Sequence, residues 1–241
     1  MPTQDLTSVI AAMDTLNMGI MVNLSGRSGA DLIKSVKNIK ENYPNRFVVF
    51  ANIRFHKNVG KPGWIETTVK QLEEDVKNGA RGVKVYKGLG LSNLDYKGNR
   101  IAVNDIRLDP IWKKCGELGI PVLIHSADPK SFWDPFDKDN ERWLELKTHP
   151  RRKRDANNPA PFKQIMNEQY SLFKNHPKTI FISAHMAWMS NDLDGLGKLL
   201  DKLPNMNVGI GAIIAELGRQ PRNAKKFFIK YQNRILFGKD S

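Results

Sequence analysis

Apolar positions along this chain switch between two spacings, and the switch recurs from one end to the other. Leu6, Val9, Ile10, Met13 and Leu16 fall at three- and four-residue steps, which predicts an amphipathic helix over residues 5–16. MGIMVNL (18–24) is a nearly continuous apolar run, the pattern of a strand buried on both faces. After the SGRSG turn, Leu32, Ile33, Val36 and Ile39 restore helical spacing, and RFVVFANI (46–53) is the next strand. GWIETTVKQLEEDVKNG predicts a helix stopped by Gly79, a residue suited to the left-handed position past a helix end. ARGVKVY (80–86) is again strand-like, and a Gly-, Asn- and Asp-rich loop follows over 88–105. Asp109 and Pro110 read as the N-cap and first residue of a helix ending near Gly119. Three more helices are predicted at 162–175, 196–203 and 224–231, among strands at 120–125, 179–185, 207–214 and 234–238.

Strand and helix alternate throughout, which means βαβ units and a parallel sheet. A doubly wound sheet is the rival architecture, but NLSGRSG after the first strand lacks the full phosphate-binding fingerprint. Chemically capable residues at strand ends all along the chain suit a barrel better. The expectation is therefore an α/β fold, a (β/α)8 TIM-barrel-like single domain over 1–241. Seven strands with a leading helix make that barrel incomplete, its first strand expected upstream of Met1 and its last helix beyond Ser241.

Composition narrows the function classes. Hydrophobic residues make up 40% and charged residues 26% of the 241, as in ordinary globular domains. No apolar run approaches the roughly 18 residues of a membrane span, and PTQD after Met1 is not a secretory signal. A cytoplasmic location is expected if Met1 is the natural start. The lone Cys115 forms no internal disulfide and reads as a small buried side chain. The net charge of +13 is spread over helix faces, with one dense cluster, Arg151, Arg152, Lys153 and Arg154, in a Pro- and Asn-rich stretch. Without interleaved aromatics this reads as a solvated loop, so no nucleic-acid partner is expected. A small-molecule substrate is, and a homo-oligomer is compatible with the sequence.

Four strand-like runs end in a residue capable of chemistry: GARGVK in Lys84, IPVLI in His125, TIFISA in His185 and RILFGK in Asp240. In a parallel barrel those ends converge on one mouth. Two imidazoles and a carboxylate form an N/O set that suits zinc with an open position, or equally iron or manganese. Asp240 and His185 are the candidate acid–base groups, and Lys84 and Tyr86 face one way along their strand. Arg54, Asp128 and Trp133, at or beyond strand ends, are candidate substrate contacts, Arg54 for an anionic group. Asn23 and Asn52 are weaker candidates. Glu216 reads as a structural ion pair with Arg219, and His56, His149 and His176 receive no role.

GARGVKVYKGLGL, IPVLIHSADP, HPKTIFISAHMAW, IAELGRQP and RILFGKDS resemble, in this order, the amidohydrolase superfamily, in particular the group that includes aminocarboxymuconate-semialdehyde decarboxylase. The resemblance implies a (β/α)8 barrel and metal-activated water or metal-assisted decarboxylation. It implies His125 as a metal ligand, His185 as a second ligand or acid–base group, and Asp240 as the metal-binding, water-activating carboxylate. The family's first strand ends in a His-x-His pair, whereas none of the five histidines here are two apart. The expected function is a metal-dependent hydrolase with a divalent metal, Zn above others, acting on a small polar or anionic substrate. The alternatives are a decarboxylase of an aromatic or unsaturated acid, and a non-catalytic barrel serving as a binding or scaffold protein.

Overall fold

Strand and helix do alternate, and every strand joins one sheet. The computed structural model describes residues 5–155 and 159–238. The strands are β1 (Met21–Asn23), β2 (Phe47–Asn52), β3 (Ala80–Val85), β4 (Val122–Ile124), β5 (Phe181–Ser183), β6 (Met206–Gly209) and β7 (Ile235–Leu236). They are parallel and lie side by side in chain order. The helices are α1 (Thr7–Thr15), α2 (Ala30–Asn42), α3 (Trp64–Lys77), α4 (Asp109–Glu117), α5 (Trp143–Thr148), α6 (Phe162–Asn175), α7 (Leu193–Lys202), α8 (Ile214–Gly218) and α9 (Pro221–Tyr231). The result is the expected incomplete α/β barrel, curled but not closed by pairing of β1 with β7 among the described residues. No helix among those residues is long and apolar enough to cross a membrane.

The two faces of the sheet divide the work. Val83 and Val85 of β3, Val122 and Ile124 of β4, Phe181 of β5, and Met206 and Val208 of β6 belong to one buried cluster. Ile111 and Trp112 of α4, Phe173 of α6, and Leu196 and Leu200 of α7 cover it. A smaller cluster joins Val49 and Ala51 of β2 to Leu32, Val36 and Ile39 of α2. Because strand side chains alternate, Phe50, Asn52, Gly82, Lys84 and Leu123 must point the other way, into the curl. Helix-side burial thus holds the fold, and the inner face is left for polar residues near the strand tips.

Several local expectations change. Asp109 is the first residue of α4 and does not cap it; the preceding 3-10 turn is capped instead by Asp105, whose side chain accepts the Arg107 N–H. The sixth strand stops at Gly209, and Ile214 starts α8, because Gly211 and Ala212 turn the chain. Gly79 does end α3, with φ of +109°. Glu216 pairs with Arg142 at 2.5 Å, and Arg219 pairs with Glu141 at 2.7 Å, so the expected Glu216–Arg219 pair is replaced by two links to the long β4–α6 excursion. The basic cluster is not merely solvated either: Arg152 reaches Glu145 and Arg154 reaches Asp128. Cys115 is buried, and burial pushes its thiol up to about 12.

Gly82 creates the room for Phe50 inside the curl. A Cβ at position 82 would lie 2.5–2.6 Å from three atoms of the Phe50 ring. Gly82→Ala is expected to lower stability by about 1–3 kcal/mol through overpacking. Urea unfolding measures this, and an unchanged midpoint would contradict the inward placement of Phe50.

Candidate active site

His125 lies one residue past β4, and its backbone N–H donates to the Val85 carbonyl at 3.0 Å, which continues the sheet ladder to the strand tip. His185 lies beyond β5 in a turn of left-handed conformation. The two rings meet edge to face, with centroids 4.3 Å apart and His185 Nε2 at 3.3 Å from His125 Nδ1. His185 Nδ1 sits 2.8 Å from the Gly211 carbonyl. A carbonyl only accepts, so Nδ1 carries the proton and, in the neutral ring, Nε2 is a lone pair facing His125. His125 Nδ1–H then completes the contact, which leaves His125 Nε2 buried and without a partner. Burial, followed by the neighbouring His185 and the charges of Lys84 and Lys87, lowers His125 to about 2, so this imidazole is neutral at ordinary pH.

Trp188 covers the pair. Its ring stacks on His185 at 4.4 Å and 25°, and its Nε1–H donates to the Ser126 carbonyl at 3.0 Å. The backbone from His185 through Met186, Ala187 and Trp188 holds φ of 56°, 49°, 54° and 54° with no glycine among them. Each such L-residue costs about 1–2 kcal/mol, so the surrounding packing has to outweigh the strain. Met186 and Ala187 are correspondingly buried in the main core.

Around this centre lie cations from the end of β3, the turn after it and the β4–α6 excursion. Lys84, buried, lies 5.5 Å from the centroid of the Tyr86 ring. The Tyr86 hydroxyl donates to the Leu24 carbonyl at 3.0 Å, and Asn52 Nδ2 donates to the same oxygen at 2.9 Å. Asp128 is buried and accepts from Lys87 Nζ at 2.7 Å and from Arg154 Nε at 3.1 Å and Nη2 at 2.5 Å. One carboxylate between two cations leaves a net positive rim beside His125. Trp133 donates its Nε1–H to the Ala160 carbonyl at 3.0 Å and packs on Phe162, within the excursion. Arg54 is exposed and lines a cleft of about 240 Å³ with Asn52, Thr67, Gln71 and Asp75, a lining that includes neither histidine. Asp240 lies outside the described residues. His56 Nδ1 accepts from the Leu94 N–H and His176 pairs with Asp109, local roles at a distance from the site.

The amidohydrolase family model (Amidohydro_2) matches residues 25–241. The chain belongs to the amidohydrolase family. No curated protein matches it. Among solved structures it is similar to an uncharacterized TIM-barrel protein from Bordetella bronchiseptica, with TM-score 0.59 and 16% identity over 98% of this chain and 69% of that one. It is similar to 4-oxalomesaconate hydratase from Rhodopseudomonas palustris, with TM-score 0.58 and 14% identity over 97% of this chain and 66% of the hydratase. A 2,6-dihydroxybenzoate decarboxylase gives TM-score 0.56 and 16% identity over 98% of this chain and 77% of the decarboxylase. These likenesses establish the barrel fold.

Amidohydrolases generally use a divalent metal. One feature of this one fits such an ion: His185 Nε2 and His125 Nδ1 face each other 3.3 Å apart, and an ion between them requires the His125 proton to move from Nδ1 to the otherwise unpartnered Nε2. Two donors on one tetrahedral ion at bond lengths near 2.0–2.1 Å stand about 3.3–3.4 Å apart. Among the described residues no group of three His, Cys, Asp or Glu converges, so the pair supplies at most two ligands there. Trp188, Gly211, Lys87 and Arg154 were not singled out from the sequence as site residues. Trp188 in the HMAW stretch was open to notice; nothing local marks Gly211 as the acceptor.

A neutral buried imidazole makes stability depend on pH. The unfolded chain protonates His125 near its ordinary 6.5 and the folded chain only near 2, so stability is lost as pH falls through that interval. For the metal-free protein this group adds a slope of up to about 1.4 kcal/mol per pH unit. Denaturant midpoints between pH 7 and 4.5 check it, with a shallower slope expected in His125→Asn. An equal slope in both proteins would show that His125 already titrates in the fold.

Proposed function

We propose that this chain is a metal-dependent hydrolase acting on a small anionic substrate. The observation that carries the reading is the His125–His185 pair, whose protonation is set by the Gly211 carbonyl and which retains an unpartnered buried nitrogen. A divalent cation, zinc by the nature of the donors, held by His125 and His185 with Asp240 as carboxylate, would supply Lewis acidity and a water of lowered pKa. The protein's own residues do the rest. Gly211 fixes the His185 ring through Nδ1, and His125 stays neutral and free to ligate. Lys84 and Lys87, the two cations that bear on His125, draw a substrate carboxylate toward the mouth. Asp240 accepts the proton that leaves water. Tyr86, Arg54, Asp128 and Trp133 are proposed for the substrate side, Asp128 by orienting Lys87 and Arg154.

Decarboxylation is the second reading. It is supported by the same cationic rim and by the likeness in fold to 2,6-dihydroxybenzoate and 5-carboxyvanillate decarboxylases. There a substrate carboxylate would lie near Lys84 and Lys87, leave as carbon dioxide, and be replaced on carbon by a proton.

Elemental analysis of the zinc-reconstituted protein is expected to find about one zinc per chain. His125→Ala and His185→Ala should each retain under about a tenth of that with unchanged circular dichroism. A folded wild-type protein that takes up no zinc would remove the enzymatic reading and leave a binding or scaffold barrel. Carbon dioxide release from hydroxybenzoates, against acid release from amides and lactones, separates the two reactions.

A further inference from the structure

We propose that Trp188 is the positioning residue of the histidine pair, holding His185 at a set distance from His125. Its consequence for metal affinity rests on the functional reading above; its geometry does not. The indole spans two strand tips. Its face lies on the His185 ring at 4.4 Å, beyond β5, while its Nε1–H bonds the carbonyl of Ser126, the residue that follows His125 beyond β4. The centroid of the His125 ring is 5.9 Å away. One side chain therefore ties the backbone carrying one imidazole to the face of the other.

The His185 ring is fixed from three sides: by the Gly211 carbonyl at Nδ1, by His125 Nδ1 at Nε2, and by the indole on its face. The first two contacts set the protonation and the in-plane direction. The stacked indole lies on the face of the ring and opposes its tilting out of plane. The backbone is shaped to place it. Four successive residues from His185 to Trp188 hold positive φ, and the Met189 N–H closes the turn on the Met186 carbonyl at 3.0 Å. The turn brings residue 188 back beside residue 185, and the indole lies over the imidazole.

Groups that hold metal ligands from behind typically contribute 10–100-fold to metal affinity. The experiment compares Trp188→Leu, Trp188→Phe and, as reference, Trp143→Leu, whose partly exposed ring stacks on Phe136. Cobalt(II) is the probe, titrated by its visible absorption. Metal-free samples are read by nitrogen–proton correlation spectra of the imidazoles. Trp188→Leu should weaken cobalt binding about 10–100-fold and convert the single His185 Nδ1–H tautomer into an exchanging mixture. Trp188→Phe, which keeps a ring but loses the N–H bond, should weaken it about fivefold. Trp143→Leu should match wild type. A folded Trp188→Leu with wild-type affinity and wild-type imidazole spectra overturns the proposal. If Trp188→Leu does not fold, Trp188→Phe decides by the same criterion. If the wild type binds no cobalt, the metal reading fails, and the imidazole spectra alone sustain or overturn the positioning role.

Discussion

The state of the site follows from one hydrogen bond, between His185 Nδ1 and the Gly211 carbonyl. Because the acceptor cannot donate, Nδ1 of His185 carries a proton, and in the neutral ring Nε2 presents a lone pair to His125. That in turn fixes the His125 tautomer and strands its Nε2. Two side chains that could each exist in several forms are reduced to one arrangement by a backbone atom. The bond depends on the register of β5 against β6, in which Ser183 lies beside Val208. A slip of one residue would turn the inward and outward faces over and carry Gly211 out of reach.

The same register logic explains how a basic protein concentrates charge at its mouth without burying isolated cations. The helix-facing side of the sheet is apolar and closed by large residues such as Phe181 and Trp112. The inner side ends in Asn52, Lys84 and His125 at adjacent strand tips. Asp128 is a buried carboxylate that joins two of the surrounding cations, Lys87 and Arg154. Removing it would leave both guanidinium and ammonium repelling one another. Exposed pairs within helices, such as Lys37–Glu41 and Lys77–Glu74, are worth little individually.

Strain is placed where chemistry is expected. Four consecutive non-glycine residues in left-handed conformation form the segment between β5 and α7, and that segment carries His185 and Trp188. None of the five histidines are two apart in the sequence, and among the described residues no group of three His, Cys, Asp or Glu converges. The chain also spans about two thirds to three quarters of the length of the solved barrels most like it in fold.

Hydrophobic spacing determined the alternation of strands and major helices, the parallel sheet and the strand tips that carry Lys84, His125 and His185, but not the short helices α5 and α8. These are local properties: a side chain's direction on a strand or helix is set by neighbours within a few residues. What joins the tips is not local. The His185–Gly211 bond links residues 26 apart, Trp188–Ser126 62 apart, and Arg142–Glu216 74 apart. No spacing in the sequence encodes such a pairing; it exists because curling and register bring distant strand ends together. Glu216 thus found Arg142 in preference to Arg219, and Arg54 fell into a cleft beside α3 away from the histidines. The left-handed turn at 185–188 was equally invisible, since the glycine that would announce it is absent and the packing of the barrel imposes it.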